Sequence, residues 1–294
     1  MTSRGEGSQK KSLRVDAHVH LSRWWPEVRR TGYRDDLEYT VDGLLSEMDR
    51  SGVDLALAIQ LFQAPTTGEA LGEGRATFAR SRGRLLPVGT VDPTQGAEAV
   101  LGSVQLLEAE RVLFGIKLFP GYRPFYPHDA RLEPVYELAH RRRIPVLVHQ
   151  GDTLDGLGLL RFARPLEVDE VAGRYRDVPF VLCHLGNPWI EEAAEVLYKN
   201  ANVYADTSGL LGPPSSPYFE RAFMACRERI EQAIVASGRP ERFLFGSDWP
   251  LEELTTARRL IDELEIEERD REGILGANAE RLFRLRARQP DTAT

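Results

Sequence analysis

Apolar and polar positions along the chain follow two rhythms. Short runs rich in Val, Ile, Leu and Phe, four to seven residues each, are separated by longer stretches whose apolar residues recur every three or four positions. The first rhythm marks strands in a parallel sheet and the second marks amphipathic helices packed over it. Eight such runs can be counted, at 13–17 (LRVDA), 53–59 (VDLALAI), 85–91 (LLPVGTV), 112–118 (VLFGIKL), 144–148 (IPVLV), 178–183 (VPFVLC), 201–205 (ANVYA) and 242–245 (RFLF). Their starts lie 23 to 41 residues apart, room for one crossover helix in each interval. Helical spacing is clearest at 40–51, where Val41, Leu44, Leu45 and Met48 share a face, and at 132–141 and 190–199. The basic run HRRR at 140–143 closes the helix before the fifth strand. Positive charge suits the carbonyl end of a helix, so it is read as a cap rather than a binding patch.

Eight β-α units predict an α/β fold, a (β/α)8 barrel, the architecture that typically takes about 250 residues. The barrel is expected over 13–286 as a single domain, with flexible polar tails at 1–12 and 287–294. No short-period repeat, heptad or low-complexity linker interrupts it. The stretch GLLGPPSSP at 209–217 follows the seventh strand and reads as a long loop on the rim where barrels collect function.

Composition narrows the class. Of 294 residues, 42% are hydrophobic and 28% charged, as in ordinary globular proteins. The formal net charge of -7 argues against nucleic-acid binding, which needs a clustered basic surface. The polar, basic start at 1–12 lacks the apolar core of a secretory signal, no apolar run approaches the length of a membrane span, and Cys183 and Cys226 are too few for a disulfide framework. A cytoplasmic protein with a small-molecule substrate, and a homodimer by default, is expected. Only Lys10, Lys11, Lys117 and Lys199 are lysine among 38 basic residues.

Four of the six histidines stand at the C-terminal ends of proposed strands: His18 and His20 in an H-x-H pair, His149 and His184. Alternate residues of a strand share a face, so His18 and His20 can point to one site. Asp248, just after the eighth strand, would face them, because the last strand of a closed barrel lies beside the first. Imidazoles and a carboxylate on one rim suit a divalent metal with an open position for water. His128 and His140 are read as ordinary loop and helix residues.

The segments VDAHVHL, GIKLFPGY, PVLVHQGD, FVLCHLG, FLFGSDWP and ILGANAERLF, in that order from Val15 to Phe283, resemble the amidohydrolase superfamily, in its amidohydrolase-related branch of hydrolases and decarboxylases. The resemblance implies that His18, His20, His149 and Asp248 hold one divalent metal, most often Zn2+, with Mn2+ as the alternative. It also implies that His184 lies near the reacting water as a polarising or proton-transferring group. A carboxylate that holds the metal can also take the water's proton and return it to the leaving group, so Asp248 is expected to serve as general acid-base. In binuclear branches a carbamylated lysine bridges two metals. Lys117 in GIKLFP stands at that strand, with Phe119 where the branch often has histidine. A buried lysine needs a partner or a modification, and an ammonium contacting substrate or a carboxylate, with one metal rather than two, is the expectation.

Rim residues that could shape substrate are Trp24, Trp25, Tyr122, Arg123, Gln150, Asn187 and Trp189, together with Lys117. Should Arg23 or Arg123 face the metal, a carboxylate-bearing substrate is favoured. Asp206, Ser208 and Asp92 are expected to hydrogen-bond the rim, and Asp16 to be structural. The leading reading is a metal-dependent hydrolase that cleaves an amide, cyclic amide or lactone of a small polar or aromatic molecule. The alternative is a non-oxidative decarboxylase of an aromatic or dienoic acid; a non-catalytic ligand-binding barrel is the third.

Overall fold

The computed structural model describes residues 12–21, 38–60, 66–154 and 156–288. Of the tails expected at 1–12 and 287–294, residues 1–11 and 289–294 lie outside the described residues, as do Arg23, Trp24 and Trp25, while 287–288 fall in a short terminal helix. Eight parallel strands pair in sequence order: β1 (Val15–His20), β2 (Leu55–Ile59), β3 (Leu85–Thr90), β4 (Gly115–Leu118), β5 (Val146–Val148), β6 (Phe180–Leu182), β7 (Val203–Asp206) and β8 (Phe243–Leu244). The ring closes through main-chain bonds from Ala17 N to Phe245 O (2.8 Å), Asp248 N to His18 O (2.8 Å) and His20 N to Trp249 O (2.7 Å). This is a nearly closed (β/α)8 barrel forming a single domain, as the periodicity predicts.

Helices α1 (Val41–Ser51), α2 (Gly68–Arg80), α3 (Ala97–Ala109), α4 (Glu133–Arg142), α5 (Leu166–Arg174), α6 (Ile190–Lys199), α7 (Phe219–Ser237) and α8 (Leu254–Asp262) follow the strands in turn. In α1 the Thr40 side chain accepts from Gly43 N, Asp42 opens the first turn, and Gly52 ends the helix at φ 68°, where a Cβ would be strained. HRRR ends α4, with Arg143 as its left-handed cap at φ 52°, but its side chains reach the end of the neighbouring helix rather than their own. Arg142 donates to the carbonyls of Glu108 and Glu110, which end the neighbouring α3, and Arg141 pairs with Glu108.

Alternate strand residues go to two cores. Ala56, Leu118, Val146, Leu182 and Ala205 pack with helix residues such as Leu44, Leu107, Leu138 and Val196. Leu57, Val88, Leu147, Val181 and Leu244 form the interior cluster, joined by Ala279, Leu282 and Phe283 of the short helix α10 (Asn278–Phe283), which comes after α9 (Glu268–Glu272). The last helix, α11, spans Leu285–Arg288. No helix among the described residues is long and apolar enough to cross a membrane.

Most strands lie inside their hydrophobic runs, whereas β1 and β7 extend past theirs. Strand β1 continues through His20 instead of ending at Ala17, because its histidines carry ladder bonds as well as side-chain chemistry. The register between β1 and β2 slips between Asp16 and Val19, a bulge that re-aims the side chains next to the site.

Candidate metal centre

The seam between β1 and β8 gathers three ligand atoms. His18 Nε2 lies 3.3 Å from His20 Nε2 and 3.5 Å from Asp248 Oδ1, and His20 Nε2 lies 3.2 Å from Asp248 Oδ1. All three residues are buried. Their tautomers follow from their other partners. His20 Nδ1 faces the Ile59 carbonyl at 3.1 Å, which only accepts, so Nδ1 carries the hydrogen and Nε2 the lone pair. His18 Nδ1 faces Asp206 Oδ2 at 3.0 Å. Burial works against ionising Asp206, yet its contacts with His18 hold the carboxyl below the usual carboxylate range, so it too accepts. Two imidazole lone pairs and a carboxylate oxygen therefore converge.

Asp248 Oδ1 is buried and has no hydrogen-bond donor. Desolvation opposes its charge, but His184 and the His20 and His18 rings keep the carboxyl well below its ordinary value. An ionised oxygen left unpaired among lone pairs is costly unless a cation resolves it. The donor set, two neutral imidazole nitrogens and one carboxylate, is one that zinc or manganese accepts. Burial, followed by the Lys117 charge, pushes His18 down to about 3, which keeps the ring in its ligand form.

Asp248 sits at φ 58°, in the left-handed region, and its N–H bonds to His18 O. After β6, His184, Leu185 and Gly186 are all left-handed in succession (φ 60°, 47° and 64°). The turn is held by His184 N donating to Asp206 Oδ1 at 2.9 Å. The His184 ring lies 4.8 Å from that of His18 and 5.0 Å from that of His149. Burial and neighbouring Lys117 lower the His184 pKa, against the pull of Asp248.

His149 sits beside this group, with Nε2 donating to the Asp152 carbonyl at 2.9 Å. That leaves the lone pair on Nδ1; among the described residues the tight trio is His18, His20 and Asp248, and His149 is not part of it. A second cluster of His18, His184 and Asp206 is already joined by hydrogen bonds through Ser208.

A cavity of about 80 Å³ opens beside the trio, lined by Tyr122, His149, Asp152, His184, Asn187 and Asp248, with Leu154, Leu211 and Leu251 as its apolar wall. Of the rim residues expected to meet substrate, Tyr122 and Asn187 line it. The Tyr122 hydroxyl accepts from Leu154 N at 2.8 Å. Arg123 is instead paired with Asp92 at 3.4 Å. Gln150 is fully buried, with neither amide atom hydrogen-bonded, and Trp189 lies under the Arg164 guanidinium at 4.9 Å; neither lines the cavity. Lys117, wholly buried, donates to Cys183 Sγ at 2.8 Å and stands 3.4 Å from His18 Nε2. Its hydrogen-bond partners are a thiol and an imidazole nitrogen, not a carboxylate, and burial pushes that thiol's pKa well up.

Two features are absent from the sequence reading. Arg229 of α7 donates to Asn187 Oδ1 (2.9 Å) and to the Pro188 carbonyl (2.6 Å), which turns the Asn187 NH2 away from it. The apolar wall of Leu154, Leu211 and Leu251 comes from three separate loops. Neither carries a local signal: an arginine in a helix and leucines in loops look ordinary in sequence. Asp16 is structural as expected, accepting from Ser247 Oγ (2.6 Å), Ser247 N and His18 N and so bracing β1 to the turn after β8.

Solved structures share the fold. An uncharacterised TIM-barrel protein from Bordetella bronchiseptica is 20% identical, with a TM-score of 0.73 over 94% of this chain and 99% of its own. A candidate 2-pyrone-4,6-dicarboxylic acid hydrolase from Pseudomonas putida is 17% identical, with a TM-score of 0.64 over 93% of this chain and 98% of its own. A dihydroxybenzoic acid decarboxylase from Polaromonas, with bound manganese and an inhibitor, is 18% identical, with a TM-score of 0.66 over 94% of this chain and 98% of its own. No curated protein matches the sequence at a significant level. The sequence profile described as amidohydrolase matches residues 15–285, almost the whole barrel, so the chain belongs to the amidohydrolase family.

Proposed function

We propose that the chain is a metal-dependent hydrolase that cleaves an amide, cyclic amide or lactone of a small polar or aromatic molecule. The observation that carries this reading is Asp248 Oδ1: buried, without a donor, within 3.5 Å of two imidazole nitrogens, and facing a cavity whose described lining includes no arginine or lysine. A decarboxylase has to hold its substrate's carboxylate, and Arg123, the described arginine nearest that task in sequence, is turned to Asp92. The apolar wall fits a ring or alkyl group, and Asn187 and Tyr122 offer polar contacts to a neutral carbonyl.

His18, His20 and Asp248 would hold the metal, with His149 Nδ1 as a fourth donor. A divalent ion supplies Lewis acidity and lowers the pKa of a coordinated water to about 7. Zinc is the first choice; manganese, held by the related decarboxylase, is the second. Asp248 accepts the proton released at the reacting water and returns it to the leaving nitrogen or oxygen. His184 Nε2 faces the reaction from the strand-six side, because its Nδ1 donates to the Ser208 carbonyl at 3.1 Å. The apolar wall excludes bulk water from the scissile bond.

Turnover of a panel of lactones, cyclic amides and aromatic acids in oxygen-18 water, with zinc or manganese added, tests the reading. Hydrolysis places one labelled oxygen in the product. Carbon dioxide release without label would replace the proposal with the decarboxylase alternative.

A further inference from the structure

Ser208 follows β7 and is wholly buried. Its Oγ lies 2.5 Å from Asp206 Oδ1, 3.1 Å from His18 Nδ1 and 3.0 Å from His184 Nδ1. A carboxylate can only accept, so the hydroxyl hydrogen goes to Asp206 and the serine oxygen is left as an acceptor. Both facing ring nitrogens carry hydrogen: His18 Nδ1 because it also faces Asp206 Oδ2, and His184 Nδ1 because it also faces the Ser208 carbonyl. One hydroxyl oxygen therefore accepts from both rings while anchored to the carboxylate beneath, sharing the His18 N–H with Asp206 Oδ2 and the His184 N–H with the Ser208 carbonyl.

Two glycines keep the space around Ser208 clear. A Cβ on Gly246 would lie 2.9 Å from Ser208 Cβ and 3.2 Å from His18 Cβ. A Cβ on Gly209 would lie 2.9 Å from His184 Nδ1 and 2.8 Å from Asp248 Oδ2. Gly209 is also at φ 62°, a conformation open to glycine at little cost.

We propose that Ser208 is a positioning residue that couples the metal-holding ring of His18 to the proton-handling ring of His184. The inference rests on the metal-hydrolase reading for the roles of the two rings, and on hydrogen-bond geometry for the coupling. Its consequence is that His184, outside the ligand trio, influences how tightly the metal is held, and does so through Ser208.

Zinc affinity, measured by competition with a chelating dye, tests this in the wild type, Ser208→Ala, His184→Gln and the double variant. Each single substitution is expected to weaken zinc roughly tenfold, the lower end of what is lost when an outer partner of a ligand is removed. The double variant is expected to lose no more than the weaker single variant has lost, because both act through one link. Losses that multiply, or an unchanged affinity in Ser208→Ala, would overturn the coupling. Should Ser208→Ala not fold, nitrogen-15 histidine spectra of the wild type decide: the Nδ1–H signals of His18 and His184 move together as zinc is added, and movement of His18 alone overturns the proposal. A wild-type chain that takes up neither zinc nor manganese would defeat the metal reading. In that event the metal-free spectra still judge Ser208: Ser208→Ala shifts both Nδ1–H signals if the hydroxyl joins the rings, and leaves the His184 signal in place if it does not.

Discussion

Asp206 Oδ2 stands 3.0 Å from His18 Nδ1 with both side chains fully screened from solvent, although 188 residues separate them in sequence. The carboxylate selects the tautomer that leaves His18 Nε2 as a lone pair, and it also accepts from His184 N, Ser208 N and Ser208 Oγ. Asp206→Asn removes the charge and offers an NH2 where only acceptors fit. Metal affinity is expected to fall 10- to 100-fold, on the order found for such partners elsewhere, and the melting temperature to fall by several degrees. Chelator competition and calorimetry check both; an unchanged affinity would remove Asp206 from the site.

Elemental analysis separates the ligands. His18→Ala and His20→Ala are expected to retain less than about a tenth of the wild-type metal, since each removes one of three converging atoms. His149→Ala should retain more, because His149 lies beside the trio rather than in it. Complete occupancy in His18→Ala or His20→Ala would overturn the assignment. The same measurement gives stoichiometry: one metal per chain is expected, because Lys117 Nζ is directed to Cys183 Sγ. Two metals together with the mass of a carbamate on Lys117 would refute that.

Acid should displace the metal late. Burial and the Lys117 charge push His18 down to about 3, and burial lowers His149 and His184 below the ordinary imidazole range. For a depressed pKa the neutral form persists as pH falls through the unfolded value of about 6.5, and protonation waits until the folded value is approached. Protons therefore compete poorly for these rings between pH 7 and pH 5. Metal content after dialysis at pH 5 is expected to match that at pH 7, and loss of half the metal by pH 6 would contradict the stated direction.

Arg229 acts on the cavity at one remove, by accepting no role in chemistry while fixing which end of the Asn187 amide faces inward. Arg229→Met frees that amide. A KM increase of about tenfold, equivalent to about 1.4 kcal/mol and typical of one hydrogen bond, is expected with kcat within a few-fold of wild type. A selective fall in kcat would instead place Asn187 in the chemical step.

Much of this was legible in the sequence because strands and ligands announce themselves. The eight β-branched runs correspond to the eight strands, and the strand-end positions of His18, His20 and Asp248 needed only the closure of a ring to bring them together. What stayed hidden is set by long-range contact. Asp206 and Ser208 in YADTSG look like loop residues expected to bond the rim, and only the fold shows that their partners are His18 and His184. Arg123 reads as a substrate clamp until Asp92, from the preceding strand's loop, takes its charge. Gln150, next to a candidate ligand, ends up wholly buried off the cavity, because neighbouring residues at a strand's end point to opposite faces.

The bonds that close the barrel, Asp248 N to His18 O and His20 N to Trp249 O, place the ligand trio on the join between the chain's first and last strands. A metal held by that trio would be a clasp on the ring, formed only after the whole chain has been laid down. Most of the described cavity lining comes from loops after β4, β5, β6 and β7, so natural variation or engineering can redraw those loops while the clasp stays shut. One durable catalytic seam could in this way serve a succession of substrates.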